Sequence, residues 1–127
     1  MRIELASIHV NDPQEAMKFY TEVLGFQLKN HIQEINWITV VSPERPDGVQ
    51  LLLEPSENPT AQRYMNELVE QGIPATGFAV DDLQAEYERL RGLDVEFTME
   101  PTDMGQTHMA IFDDTCGNLI QIYQMKG

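Results

Sequence analysis

What the chain lacks narrows the reading first. It has one cysteine, Cys116, so no disulfide can form within it, and a reducing, cytoplasmic setting is expected. Basic residues are scarce: 8 Lys and Arg stand against 21 Asp and Glu, a formal net charge of -13. A surface that negative repels phosphate backbones and anionic headgroups, so neither nucleic acid nor membrane is expected as a partner. No apolar run approaches the roughly 18 residues of a membrane-crossing helix, and the N-terminus does not read as a basic-then-apolar leader. Gly-rich phosphate loops, Walker patterns and nucleophile elbows are missing, and so are low-complexity segments.

What is present is a repeat. Ile8-His-Val-Asn-Asp12 returns as Phe78-Ala-Val-Asp-Asp82, seventy residues on, and Val49-Gln-Leu-Leu-Leu53 is matched at the same offset by Leu119-Ile-Gln-Ile-Tyr123. Two copies at so long a period indicate a duplicated module, not a solenoid. The 127 residues, 42% of them hydrophobic, suffice for one folded domain with a proper core. The expected division is module 1 over about 1–55, a linker and added helix over about 56–72, and module 2 over about 73–127.

Each copy reads as strand, helix, then three strands. A strand over residues 3–10 leads into Asp12-Pro13-Gln14-Glu15, where Asp12 suits the N-cap, Pro13 the first turn, and Glu15 a reach back to the cap amide. Ala16, Phe19, Tyr20, Val23 and Leu24 recur at helical spacing, and Gly25 supplies the stop. Strands follow near 27–33, 37–42 and 49–54, with a turn over 43–48. The proline-bearing 55–59 stretch precedes a helix over about 60–71. The second copy repeats the order: strand 75–80, a helix from Asp82 with Leu83, Tyr87 and Leu90 inward, then strands near 95–99, 107–112 and 119–124. Residues 113–118 form the turn of a hairpin.

This α+β layout, two tandem βαβββ modules forming a cleft-bearing mixed sheet with helices outside, carries two phrases that mark a family. Phe19-Tyr-Thr-Glu-Val-Leu-Gly-Phe26 and Phe112-Asp-Asp-Thr-Cys-Gly-Asn-Leu-Ile-Gln121 resemble the vicinal oxygen chelate superfamily. Glyoxalase I, bleomycin- and fosfomycin-resistance proteins and extradiol dioxygenases belong to it, and the chain is most similar to its glyoxalase-like branch. The scaffold hosts unrelated chemistries, so the resemblance implies fold before function.

In metalloenzymes of that superfamily, the first and last strand of each copy supply one His, Glu or Gln ligand apiece. The resemblance carries those positions onto Leu5, Leu51, Ala75 and Gln121. Three of the four have no donor atom, and one neutral amide does not hold an ion. No metal and no other cofactor is expected. Strand alternation turns Leu5, Ser7 and His9 to one face and Ile8 and Val10 to the other, so His9 should look into the cleft. His31 and His108 have no spacing that ties them to His9, and each is read as a surface or hydrogen-bonded histidine. Cys116, beside Asp113 and Asp114, is not placed to become a thiolate nucleophile.

The same alternation sends Ala75, Gly77 and Ala79, together with Leu119, Gln121 and Tyr123, into the cleft. Val49, Leu51, Leu53, Trp37 and Thr39 are expected beside them, with Met104 and Met109 at the rim. Small residues opposite large apolar ones, dotted with a few polar groups, suit a small, largely apolar or aromatic ligand. Ordinary packing of a closed core accounts for the same pattern. Three functions stay open. One is a metal-free binding module like the bleomycin-resistance proteins, its site built from His9, Trp37, Leu51, Gln121 and Tyr123. Another is a metal-free lyase or isomerase with His9 as catalytic acid/base and Gln121 or Tyr123 orienting the substrate. The last is a metalloenzyme of glyoxalase or dioxygenase type with ligands elsewhere. Proteins that the chain resembles bury such clefts in homodimers, so a homodimer is expected.

Overall fold

The structure is a computed structural model that describes residues 1–126. Its elements run β1 (Leu5–Val10), α1 (Pro13–Lys18), β2 (Gln27–Ile32), β3 (Trp37–Val41), β4 (Gln50–Pro55), α2 (Pro59–Glu70), β5 (Thr76–Ala79), α3 (Leu83–Gly92), β6 (Phe97–Asp103), β7 (Thr107–Asp113) and β8 (Leu119–Met125). The chain divides into two compact units, Met1–Tyr64 and the residues from Met65 onward, so the boundary falls inside α2. Each unit has its own four-stranded mixed sheet, ordered β1-β4-β3-β2 in the first and β5-β8-β7-β6 in the second. The two βαβββ modules read from the sequence are therefore present.

In the first unit, Asp12 caps α1 by accepting from the Gln14 N–H at 3.0 Å, and Pro13 occupies the first turn, where its missing N–H is no loss. Glu15 ion-pairs with Lys18 instead of closing a capping box. The helix then widens into a π-helical turn, Phe19–Val23, before Gly25 at φ 89° reverses the chain. Ile8, Val10 and Leu53 pack with Ala16 and Tyr20, all 5% exposed or less. Parallel pairing sets Ile8 beside Leu53 and Ala6 beside Leu51, so these four residues share the face toward α1. Contact between Gln14 of α1 and His31, a neighbour of Ile38 across β2 and β3, marks the same side.

The second unit repeats this plan. Asp82 caps α3 through the Ala85 N–H, and the helix covers the face that carries Phe97, Phe112, Ile120 and Ile122. Tyr87 meets Phe97 edge-on at 4.7 Å between ring centres, an arrangement that favours aromatic pairs beyond simple burial. β6 runs past Pro101 to Asp103, further than its sequence suggested. Bulges on either side of Met99 let this edge strand absorb a proline that a regular central strand would reject.

The turn from β7 to β8 is organised by Asp114, whose carboxylate is fully buried. It accepts from the N–H groups of Cys116 and Asn118 at 2.7 and 3.0 Å and from Asn118 Nδ2 at 3.1 Å. That loop explains why Asp-Asp-Thr-Cys-Gly-Asn appears here: Thr115 and Gly117 take left-handed backbone at φ 61° and 99°, and the carboxylate collects the amides that this curvature turns inward. Cys116 is buried, as a structural thiol would be. Asp114→Ala should lower stability by about 2–4 kcal/mol, because the donors lose a charged partner in a buried site. Urea unfolding measures it, and a midpoint within error of the parent would contradict this account of the turn.

Asp103 closes the far end of β6. Its hydrogen bond to the Lys126 ammonium, 2.7 Å away, and then the Gly105 N–H, hold its carboxyl below the ordinary carboxylate value. A carboxyl lowered by folding contributes stability that is present above its unfolded pKa, roughly 4, and is lost as pH falls through the lower folded value. Asp103→Asn should therefore flatten the acid limb of stability against pH by removing a small contribution from the neutral plateau, with stability at the acid end unchanged. An unchanged acid slope would show that this contact contributes nothing.

Candidate functional site

The face opposite α1 is where the first unit gathers its chemistry. Register places Leu5, Ser7 and His9 of β1 beside Gln50, Leu52 and Glu54 of β4, then Trp37, Thr39 and Val41 of β3, then Asn30 and Ile32 of β2. His9 is half-buried with its Nδ1 shielded from solvent, and Glu54 is its lateral neighbour. Trp37 is half-buried on the same face, so His9 and Trp37 share a surface, as alternation predicts.

Leu51 does not join them. It pairs with Ala6 and Val40 on the α1 side, and Leu53 follows it there with no exposed surface. The error has one cause. Ile8 pairs with Leu53, 45 residues on, whereas Phe78 pairs with Ile122, 44 residues on. The last strands of the two copies therefore correspond at an offset of 69, and a shift of one residue moves every side chain to the other face. Gln121 corresponds to Leu52, Tyr123 to Glu54, and the residues sequence reading missed on this face are Gln50 and Asn30. The polar ends of the β4 run, Gln50 and Glu54, share this face, but the three leucines between them mask the alternation, and no spacing marks Asn30.

Three polar side chains on this face are linked. The Thr39 hydroxyl, which has no exposed surface, donates to Gln50 Oε1 at 2.8 Å; Asn30 Nδ2 reaches the same oxygen at 2.9 Å and Thr39 Oγ1 at 3.3 Å. A buried hydroxyl needs such partners, and this set anchors the centre of β3 to the strands on either side of it.

On the second unit's corresponding face, Gly77 pairs with Gln121 and Ala79 with Tyr123, with Ile111 and Met109 alongside. A Cβ at Gly77 would stand 3.7 Å from Gln121 Nε2, so the glycine leaves the amide lying over bare β5 backbone. Gln121 and Tyr123 are half-buried, and Met109 lies on their face while Met104 is exposed in the β6–β7 turn. The structure thus groups His9 with Trp37 and Gln121 with Tyr123, each pair on one unit. His31 and His108 fall on the opposite faces, beside Gln14 and Asp103 respectively. A separate recess of roughly 790 Å³ lies by α3 and the β6 edge, lined by Tyr87, Arg91, Phe97 and Glu100 among others, and no candidate residue borders it.

The donor chemistry at the family's ligand positions does not fit a divalent ion. With the register corrected they are Leu5, Leu52, Ala75 and Gln121, which still offer a single neutral amide. Among the described residues no group of three or more His, Cys, Asp or Glu is arranged to hold one elsewhere. Purified protein should carry no stoichiometric zinc, nickel, manganese or iron after dialysis, and a chelator should leave its melting temperature unchanged. A stoichiometric, chelator-sensitive ion found by elemental analysis would contradict this.

Comparison with known proteins adds the family. Residues 2–122 match the Glyoxalase/Bleomycin resistance protein/Dioxygenase superfamily. A relative in Bacillus subtilis (strain 168), the uncharacterized protein YurT, is 52% identical over 126 residues, covering 98% of this chain and 99% of its own. Among solved structures, UcmS2 superposes with a TM-score of 0.82 at 31% identity, covering 97% of each chain. TnmS3, described as an antibiotic binding protein from Streptomyces sp. CB03234, superposes at 0.78 with 24% identity, covering 99% of this chain and 97% of its own.

Proposed function

We propose, on the premise that this chain belongs to the Glyoxalase/Bleomycin resistance protein/Dioxygenase superfamily, that it binds a small, largely apolar or aromatic molecule without a metal. The observation that carries this reading is the make-up of the two faces opposite the helices. Each combines an aromatic side chain with polar groups: Trp37 with His9 and Gln50 on one, Tyr123 with Gln121 over the bare backbone of Gly77 on the other. Flat apolar surface supplies binding free energy and a few fixed polar groups supply orientation. TnmS3 puts the same fold to antibiotic binding, which is an analogy of scaffold alone. The net charge of -13 favours neutral or cationic ligands over anionic ones.

Catalysis by His9 is the weaker reading. A general acid/base needs a partner that orients the substrate's reacting atom, and the partners read from the sequence, Gln121 and Tyr123, belong to the other unit's sheet. In our reading the whole chain acts as one domain, in a reducing cytoplasm that suits the buried thiol of Cys116, and assembles as a homodimer. Exposed Ile3, Leu5 and Val49, together where β1 and β4 begin, favour such assembly. Light scattering at micromolar concentration checks that point, a monomer being the contrary result.

A thermal-shift screen of neutral and cationic aromatic compounds tests binding, because a ligand in excess stabilises the fold in proportion to the logarithm of its concentration over its Kd. For a compound found this way on the first unit's face, Trp37→Ala should weaken affinity about tenfold, near 1.4 kcal/mol, while Leu51→Ala should leave it within about threefold; for one on the second unit's face, Gln121→Ala should have the tenfold effect. Equal losses at Leu51 and Trp37 would place the ligand elsewhere.

A further inference from the structure

The link between Asn30, Thr39 and Gln50 does more than satisfy a buried hydroxyl. Two donors, the Thr39 O–H and Asn30 Nδ2–H, converge on Gln50 Oε1. The reverse orientation of the Gln50 amide would set two NH2 groups against each other, so the pair of donors fixes which end of the amide is oxygen. Gln50 Nε2 therefore points away from this cluster with both its protons, and among the described residues no acceptor takes them. The side chain is half-buried, so this is a held donor and not a freely rotating surface amide. Leu52, 7% exposed, follows Gln50 along β4 and stands across from Thr39, where the Gln50 side chain ends; the Trp37 indole lies on the same face two residues along β3, about 7 Å from Thr39 along the strand and across from Glu54.

We propose that Gln50 is the specificity-determining donor of the first unit's face. Aimed by Thr39 and Asn30, its Nε2–H groups bond a carbonyl oxygen of the ligand while Trp37 and Leu52 take the ring. The ligand class is then a planar aromatic compound carrying a neutral carbonyl. A hydrocarbon leaves the donor unmet, and a carboxylate meets Glu54 on the same face. This deepens the binding reading above and rests on it. A preorganised donor discriminates because a ligand without an acceptor strips its water and returns nothing.

A matched pair of probes tests it: 1-indanone, with a ring carbonyl, and indane, without one. In nitrogen–proton NMR titrations of the full chain, 1-indanone should bind about tenfold more tightly than indane and shift the Gln50 side-chain amide protons downfield. Gln50→Leu should abolish the preference while retaining indane binding. Thr39→Val should reduce the preference with Gln50 intact, and Thr39→Ser should restore it, a pattern that lost folding would not give. Equal affinities in the parent protein, or a preference that survives Gln50→Leu, overturn the role of Gln50 and leave ligand binding standing. If neither probe nor any aromatic compound of the screen perturbs this face or the face of Gln121 and Tyr123, the binding reading falls with it; a compound that perturbs the latter alone overturns only the role of Gln50.

Discussion

Everything about the site depends on one register. β1 lies parallel to β4 with Ile8 against Leu53, and α1 closes over that pair with Ala16 and Tyr20. Burying those side chains is the dominant stabilising term available to the unit, each large one contributing about 1.5–3 kcal/mol relative to exposure. Because strand side chains alternate, the packing decision on one face dictates the content of the other. His9, Gln50 and Trp37 stand half-buried on the other face, with Leu52 and Thr39 buried among them, because Ile8, Leu53, Val40 and Ile38 turn toward α1. The second unit makes the same decision with Phe78 against Ile122, which turns Gln121 and Tyr123 the other way.

What is displayed then limits the chemistry. The positions where metal-dependent relatives place ligands hold leucine, leucine, alanine and one glutamine, so the groups that our proposal gives this scaffold for meeting a ligand are amides and aromatic rings. Such groups bind by shape and hydrogen bonding. They impose direction where their own hydrogen bonds are already committed, as at Gln50, and adapt where they are not. Glycine and alanine at 77 and 79 remove side-chain bulk from β5 and leave Gln121 and Tyr123 as the features of that face.

Much of this was legible in the sequence. The Asp12 and Asp82 caps, the Gly25 stop and the eight strands follow from local chemistry, since each depends on neighbouring residues alone. The faces of β1, β5 and β8 were legible too, because apolar residues there alternate with polar or small ones. β4 was not: Leu51-Leu52-Leu53 is apolar on both faces, as suits a strand buried on both sides, and a continuous run carries no phase. The repeat offset then supplied the wrong phase, because the two copies differ by one residue between their first and last strands. The Asn30–Thr39–Gln50 link was invisible for a different reason: it joins three strands, and sequence spacing says nothing of such lateral contact until register is known.

The most direct test is a map of which side chains feel a bound aromatic ligand, taken from side-chain and methyl NMR shifts during titration. The account predicts changes at the Trp37 indole, the Gln50 amide and Leu52 for a ligand on the first unit's face, or at the Gln121 amide and Tyr123 for one on the second, with Leu51, Leu53 and Val10 still. Shifts concentrated on Leu51, Leu53 and Val10, or confined to the recess around Tyr87 and Arg91, would contradict it.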